Sequence, residues 1–309
     1  MRILIVNYHY LRERKTGRGI HPITTSELIH QLDLLEKKYK FISQSQLISL
    51  LSKSKESLPE DDFCLLTFDD GLKEQLKAFD ILKKKKIPGI FFISTMPLIE
   101  RRACLVHKFH YVMEQINFKC LYDNILKIFP ESIKQLNDPE FLKSASLKYI
   151  YDKPNWAKVK LFVNFSLTRE NKTLLVDQLF DALKIDERGF VENLYMDDQD
   201  IIQIAQEGML GSHCVTHNPL GEMSPLEINT ELSDSKSYLS NITGEAIPSV
   251  SYPYGDKKAV TQSVLDISHK YYDLGITTQG GINQNNDLMN KKLSLNRVSE
   301  AEIAKGNYI

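Results

Sequence analysis

Apolar residues run without a break from Ile3 to Val6 and stop at Asn7, which predicts a short buried first strand. A polar stretch from Arg12 to Thr25, carrying Gly17 and Gly19, reads as a loop. Leu28, Leu32 and Leu35 then recur at helical spacing behind Ser26 and Glu27, so a helix is expected from Ser26 to Lys38, with a brief strand at Phe41 and Ile42. Phe63 to Phe68 is apolar and rich in strand-forming side chains, and it ends directly on Asp69, Asp70 and Gly71. Leu72, Leu76, Phe79 and Leu82 return to helical spacing up to Lys86, and Pro88 and Gly89 break the pattern before another strand, Ile90 to Ser94. Strand, helix and strand make a βαβ unit, whose right-handed crossover places Asp69 and Asp70 at the carboxyl end of a parallel strand.

From Met96 to Met196 the pattern changes. Phe109, Tyr111, Phe118, Leu121, Tyr122, Trp156, Phe162 and Phe165 lie in long mixed stretches punctuated by Pro130, Pro139 and Pro154, with no glycine before Gly189. This predicts a mostly helical insertion or lid whose aromatic residues serve helix packing. The α/β rhythm then resumes: a helix from Asp198 to Glu207, a strand from Met209 to Ser212 delivering His213, a helix from Pro225 to Ser240, and a strand from Pro248 to Tyr252. A helix near Val260 to His269, a strand near Leu274 to Thr278 and a terminal segment from Leu293 to Val298 complete the chain. Three segments are therefore expected: residues 1–95 as the first part of an α/β body, 96–196 as the insertion, and 197–309 as the second part.

Composition narrows the function classes. Thirty-nine basic against 40 acidic side chains leave a formal charge of −1, so no global field gathers nucleic acid or an anionic membrane, and the scattered charges of the insertion form no basic track. No apolar stretch approaches the ~20 residues that cross a bilayer. Four irregularly spaced cysteines, Cys64, Cys104, Cys120 and Cys214, form neither a disulfide framework nor a thiolate zinc knuckle and suit a reducing compartment. A cytoplasmic address is the expectation.

Chemistry concentrates at two places. Adjacent carboxylates at Asp69 and Asp70 repel and lose solvation at a strand end, and a divalent cation compensates them. One can ligate while the other accepts a proton. His213 and His217 are four residues apart, a spacing that converges if the chain between them makes a helical turn, and neutral imidazoles suit a borderline metal such as zinc. Two imidazoles and one carboxylate leave positions open for water or substrate.

Thr67-Phe68-Asp69-Asp70-Gly71, Ser212-His213-Cys214-Val215-Thr216-His217 and Tyr252-Pro253-Tyr254-Gly255, in that order, strongly resemble the signatures of the polysaccharide deacetylase family, also described by nodulation-protein deacetylase homology. The resemblance covers Phe63 to Thr95 and Glu207 to Gly255 directly. It implies a distorted (β/α) barrel of about seven strands, with Asp69 as base and with Asp70, His213 and His217 as metal ligands. It implies the peptide NH of Tyr254 as the oxyanion donor. Many family members carry an arginine before the third motif and a late histidine as acid, and Ser251 and the tail lack that pair. His269 lies in a helix and is assigned to structure. Some sugar deacetylases that resemble this chain begin with a Tyr-His motif whose histidine supplies the acid, matched here by Tyr8 and His9, so His9 is the candidate acid. Arg297, in Leu295-Asn296-Arg297-Val298, resembles a tail signature that organises the site, by orienting Asp69 or by contacting substrate through its donor fork.

The function so implied is metal-dependent hydrolysis of an acetamide on an N-acetylated amino sugar, within a glycan or as a nucleotide- or lipid-linked precursor. The ion is expected to be zinc, with manganese, cobalt or nickel open. Cys214 and Ser251, which depart from the pattern, motivate the alternative of a non-catalytic carbohydrate-binding protein; a hydrolase of another amide or a cyclic imide is the other. Cys214 is assigned to packing, with thiolate ligation as the further hypothesis, and the His107 and His110 pair to structure or substrate contact. The amphipathic helices leave a homo-oligomer open.

Overall fold

The computed structural model describes residues 1–14, 20–53, 58–284, 288 and 290–309; Gly17 and Gly19 of the expected early loop lie outside them. In chain order the strands are β1 (Arg2–Tyr8), β2 (Lys40–Phe41), β3 (Asp62–Phe68), β4 (Gly89–Ile93), β5 (Leu210–Ser212), β6 (Ser249–Ser251), β7 (Leu274–Ile276), β8 (Asn283–Gln284) and β9 (Val298–Ser299). They form one sheet in the order β7-β6-β5-β4-β3-β1-β8, with β2 on β3 and β9 on β1. Every pairing is parallel except that of β1 with β8. The result is a curled, partly open parallel sheet surrounded by helices, a distorted (β/α) barrel. The two strands beyond the expected seven are pairs of residues too short to leave a period in the sequence.

Alternation along these strands builds two apolar layers. Leu4, Val6, Cys64, Leu66, Phe68, Phe91 and Ile93 pack with α1 (Thr25–Glu36) and the other surrounding helices. Ile3, Ile5, Leu65, Ile90, Phe92, Leu274, Ile276 and Leu295 form a second cluster on the opposite face. Continued two residues further, the second face reads Asn7 on β1, Thr67 and then Asp69 after β3, and Arg297 before β9, all buried. The terminal segment carries Arg297 there because Leu295 bridges in parallel to Ile276 of β7 while Val298 pairs with Val6 of β1. The tail thus links the edge strand β7 to the first strand and ends the apolar layer with a polar one.

The helix expected from Leu72 to Lys86 divides into a 3-10 turn, Lys73–Gln75, and α3 (Leu76–Lys85). The reason is local: Asp70 and Gly71 have φ of 83° and 69°, so the chain leaves β3 through two left-handed residues before it can wind. Gly71 also needs its missing Cβ, which would stand 3.1 Å from Ile93 Cδ1. A helix absent from the periodic reading, α2 (Gln44–Leu51), is capped by Ser43 and Gln46 in a reciprocal box.

Gly211 on β5 lies against its neighbour strand. A Cβ there would stand 2.4 Å from Phe92 Cε1 and 2.9 Å from Ile90 Cγ2, in a layer with no room to yield. Gly211→Ala is therefore expected to cost about 1–3 kcal/mol, the range for overpacked cores. Calorimetry should show a lower melting temperature; an unchanged one would mean that β4 and β5 can separate without cost.

The described chain divides into two compact units: residues 1–13, 23–102 and 191–309, which hold the sheet, and residues 14–22 with 103–190. The second is helical, with α5 (Leu105–Gln115), α6 (Phe118–Ile128), α7 (Ser132–Leu136), α8 (Pro139–Lys148), α9 (Pro154–Phe165) and α10 (Arg169–Ala182), preceded in the chain by α4 (Met96–Glu100) of the first unit. Phe109, Leu121, Phe162 and Phe180 lie in its core, with Tyr111, Phe118, Tyr122 and Trp156 packed against it. Ion pairs accompany its buried lysines: Lys108 Nζ lies 2.9 Å from both Asp177 and Glu187, and Lys160 2.6 Å from Asp152. The His107 and His110 rings meet edge to face at 6.3 Å within this unit. Among the described residues no helix is long and apolar enough to cross a membrane.

Candidate metal and proton-transfer site

Parallel strands bring their carboxyl ends together, and the residues just beyond β1, β3, β5 and β6 meet there. Asp70 follows β3, while His213 and His217 follow β5. Each offers one ligand atom, and the three atoms lie within 4.8 Å of one another. His217 Nε2 is 3.1 Å and His213 Nε2 3.4 Å from the same oxygen, Asp70 Oδ1. His213 Nδ1 donates to the Ser251 carbonyl at 2.7 Å, which leaves Nε2 as the ring's lone-pair nitrogen and turns it toward Asp70. Two imidazole nitrogens and a carboxylate oxygen, convergent, with Asp70 and His213 buried and His217 partly exposed, fit a divalent ion of the zinc type and leave its other positions to water or substrate.

The expected helical turn between His213 and His217 is not what joins them. Cys214 and His217 both have φ of 62°, outside any right-handed helix, and the chain bends between them. Convergence comes instead from these two left-handed residues, which redirect the chain after β5. Tyr254 shares that conformation, again at 62°, and its ring lies 5.6 Å from that of His217. The described residues that form the three-atom cluster do not include Cys214. Its thiol is fully buried, and burial followed by the nearby Glu231 pushes its pKa up, so it packs as a neutral side chain.

Asp69 lies beside this cluster, held by a separate set of partners. Arg297 grips both of its oxygens, Nη1 to Oδ1 at 2.8 Å and Nη2 to Oδ2 at 2.6 Å. The Ser251 hydroxyl at 3.2 Å and the Asn7 amide at 3.3 Å donate to Oδ2 as well. Burial alone would raise the Asp69 pKa, but the Arg297 charge, then His213, outweigh it and hold the carboxyl at about 2. Burial likewise favours neutral His213, yet Asp69 and Asp70 carry its pKa above the ordinary imidazole value. His9 stands at the open side: its ring is 42% exposed, with Nε2 3.9 Å from Asp69 Oδ2.

Asn7 and Gln75 belong to this arrangement, although neither stands out in the sequence. Asn7 Oδ1 accepts from Arg297 Nη1 at 3.0 Å, and its amide faces the His9 ring at 3.3 Å. Alternation could have found it, as the polar residue that continues the Ile3 and Ile5 face. Gln75 is fully buried, and its single amide donates to the carbonyls of His9 at 2.8 Å and Asp69 at 2.6 Å, tying the end of β1 to the end of β3. Nothing in the local pattern marks it, since its partners are distant in the chain. His269 is exposed at the end of its helix, apart from the cluster.

Residues 160–271 match the family model described as polysaccharide deacetylase, an interval that holds His213, His217 and the Tyr252 to Gly255 turn but not Asp69 or Asp70. No curated protein sequence matches the chain. Among solved structures it is similar to the Streptococcus pyogenes deacetylase PplD in complex with acetate, at 19% identity and a TM-score of 0.60 over 97% of this chain and 92% of that one. IcaB from Ammonifex degensii gives 14% and 0.58, covering 99% and 95%. A polysaccharide deacetylase from Bacillus cereus gives 15% and 0.56, covering 99% and 68%. At these identities the likeness is one of fold. The ligand set and the family match support metal-dependent amide hydrolysis.

Proposed function

We propose that this chain, of which residues 160–271 match the polysaccharide deacetylase family model, removes the acetyl group from an N-acetylated amino sugar, releasing acetate and a free amine. One observation carries the reading: the Asp70, His213 and His217 ligand atoms converge within 4.8 Å, while a second carboxylate, Asp69, is held aside by Arg297 instead of joining them. A divalent ion bound there supplies Lewis acidity, which makes water a nucleophile near neutral pH and polarises the acetamide carbonyl.

The chain's own groups do the rest. Asp69 accepts the water proton: its fixed charge, buried and hydrogen-bonded on both oxygens, needs no reorganisation when the proton arrives. His9, on the open side and bonded through Asn7 to the same network, delivers a proton to the departing amine. The NH of Tyr254, a left-handed residue before Gly255, is the group this reading assigns to the developing oxyanion. Ser251 and Cys214, the two departures from the family pattern, both acquire places here, one orienting His213 and Asp69 and the other packing under the ligand turn. Acetate in the complex of the Streptococcus pyogenes relative is the product this reading requires.

Acetate release from N-acetylglucosamine-containing oligosaccharides and nucleotide-linked N-acetyl sugars tests the proposal. A chelator should reduce release to background, and adding back zinc, cobalt, nickel or manganese should restore it. Release that persists in metal-free protein rejects the reading.

A further inference from the structure

The turn from Ser212 to His217 carries both imidazoles through two left-handed residues, so something must hold it in that shape. Many of its backbone groups are tied to neighbours on either side. On one side, His213 N donates to the Ile93 carbonyl at 2.8 Å, Ser94 Oγ donates to the His213 carbonyl at 3.2 Å, and Thr95 N and Met96 N donate to the carbonyls of Cys214 and Val215 at 3.1 and 2.9 Å. Other groups are tied, directly or through Ser212, to α13 (Pro225–Thr243), which follows α11 (Glu187–Leu194) and α12 (Asp198–Gln206) in the chain. Val215 N and Thr216 N both donate to Glu231 Oε2, at 2.8 and 3.0 Å, and the Thr216 hydroxyl donates to Glu231 Oε1 at 2.5 Å. Cys214 N donates to Ser212 Oγ at 3.3 Å, and that oxygen is bonded to Ser235 Oγ at 2.8 Å.

Glu231 and Ser235 are one helical turn apart on the inward face of α13, between Ile228, Leu232 and Leu239, and they are 6% and 0% exposed. Polar residues at these positions weaken the helix's own packing against the core. Their partners are all in the ligand turn. We propose that Glu231, assisted by Ser235, is a positioning residue that sets the geometry of His213 and His217, so that the protein's metal affinity depends on α13 although α13 contributes no ligand. This rests on the metal-site reading above. The carboxylate suits this place because its two charged oxygens accept from two NH groups and a hydroxyl at once. A glutamine keeps one accepting oxygen and turns an NH2 group toward the Thr216 hydroxyl, whose oxygen already accepts from Asn218 Nδ2 at 2.9 Å, so the charge-assisted bonds to the turn are weakened.

Titration of metal-free protein with Co(II), followed by its visible absorption band, and competition for zinc against a chromophoric chelator test this directly. Glu231→Gln should weaken both metals by about 10–100-fold, the effect expected for groups that orient metal-bound histidines, and should shift the Co(II) band as the ligand angles change. Thr216→Val, which removes one of the three bonds, should give a smaller loss in the same direction, and it serves where Glu231→Gln does not fold. Thermal unfolding of the metal-free proteins separates the alternatives. A lowered melting temperature with metal affinity within about twofold of the parent in both variants makes Glu231 a scaffold residue only and overturns the proposal. Failure of the parent protein itself to bind metal would instead reject the functional reading on which it rests.

Discussion

Asp69→Asn is expected to lower the rate of acetate release by about 10²–10⁴-fold, the range that a positioned general base supplies, while leaving metal content and KM near those of the parent. The separation of roles follows from the geometry. The three ligand atoms within 4.8 Å come from Asp70, His213 and His217, and Asp69 makes its contacts with Arg297, Ser251 and Asn7 instead. An amide at position 69 can accept hydrogen bonds but cannot take a proton from water. Asp70→Asn is the contrasting variant: it weakens the one charged ligand and should lose metal and activity together. Because Asp69→Asn leaves the buried Arg297 without its counter-charge, this variant will be less stable, and rates should be compared well below its melting temperature. Metal content by mass spectrometry beside single-turnover acetate release decides the matter. A variant within tenfold of the parent rate, or one that loses its metal, contradicts the assignment of Asp69 as base.

Much of this site was legible because its residues are punctuated by strand ends. An apolar run that stops at Asp69 and another that stops at His213 can be read from hydrophobicity alone, and parallel pairing then brings such ends to one side. What periodicity could not show was the conformation of the turns. The expected helical turn between His213 and His217 came from residue spacing, whereas the observed turn depends on left-handed Cys214 and His217, for which neither side chain carries a local signal. The same limit hid the split of the helix after Asp70. Long-range partners were hidden for another reason: Gln75 bonds to His9, and Glu231 to Val215 and Thr216, through contacts fixed only when the sheet has curled. On α13 the apolar Leu226 is 76% exposed while the charged Glu231 takes an inward place beside Ile228 and Leu232. Packing against a polar turn, which composition cannot reveal, chose the face.

Arg297→Met is expected to cost about 3–5 kcal/mol of folding stability, because it strands Asp69 in the interior as an uncompensated carboxylate. Arg297 and Asp69 have side chains only 1% and 3% exposed, so solvent offers neither a substitute partner. Methionine fills much of the volume, which leaves charge as the main change. The pH dependence should reverse, and the sign can be worked out. In the parent the Asp69 carboxyl titrates at about 2, below the ~3.9 of an unfolded chain, so its contribution is fully present above pH ~4 and is lost as pH falls toward 2. Without the guanidinium, burial becomes the leading influence and raises the carboxyl above its unfolded value. The folded state then binds the proton more tightly than the unfolded one, and stability falls as pH rises above ~4. Guanidinium chloride unfolding of metal-free parent and variant across that range measures both the cost and the slope. The acid limb of the pH–rate profile should move upward with it, since a base that holds its proton more tightly is inactive to a higher pH. A variant that unfolds with the parent's midpoint and pH slope would show that Arg297 is not what keeps Asp69 ionised.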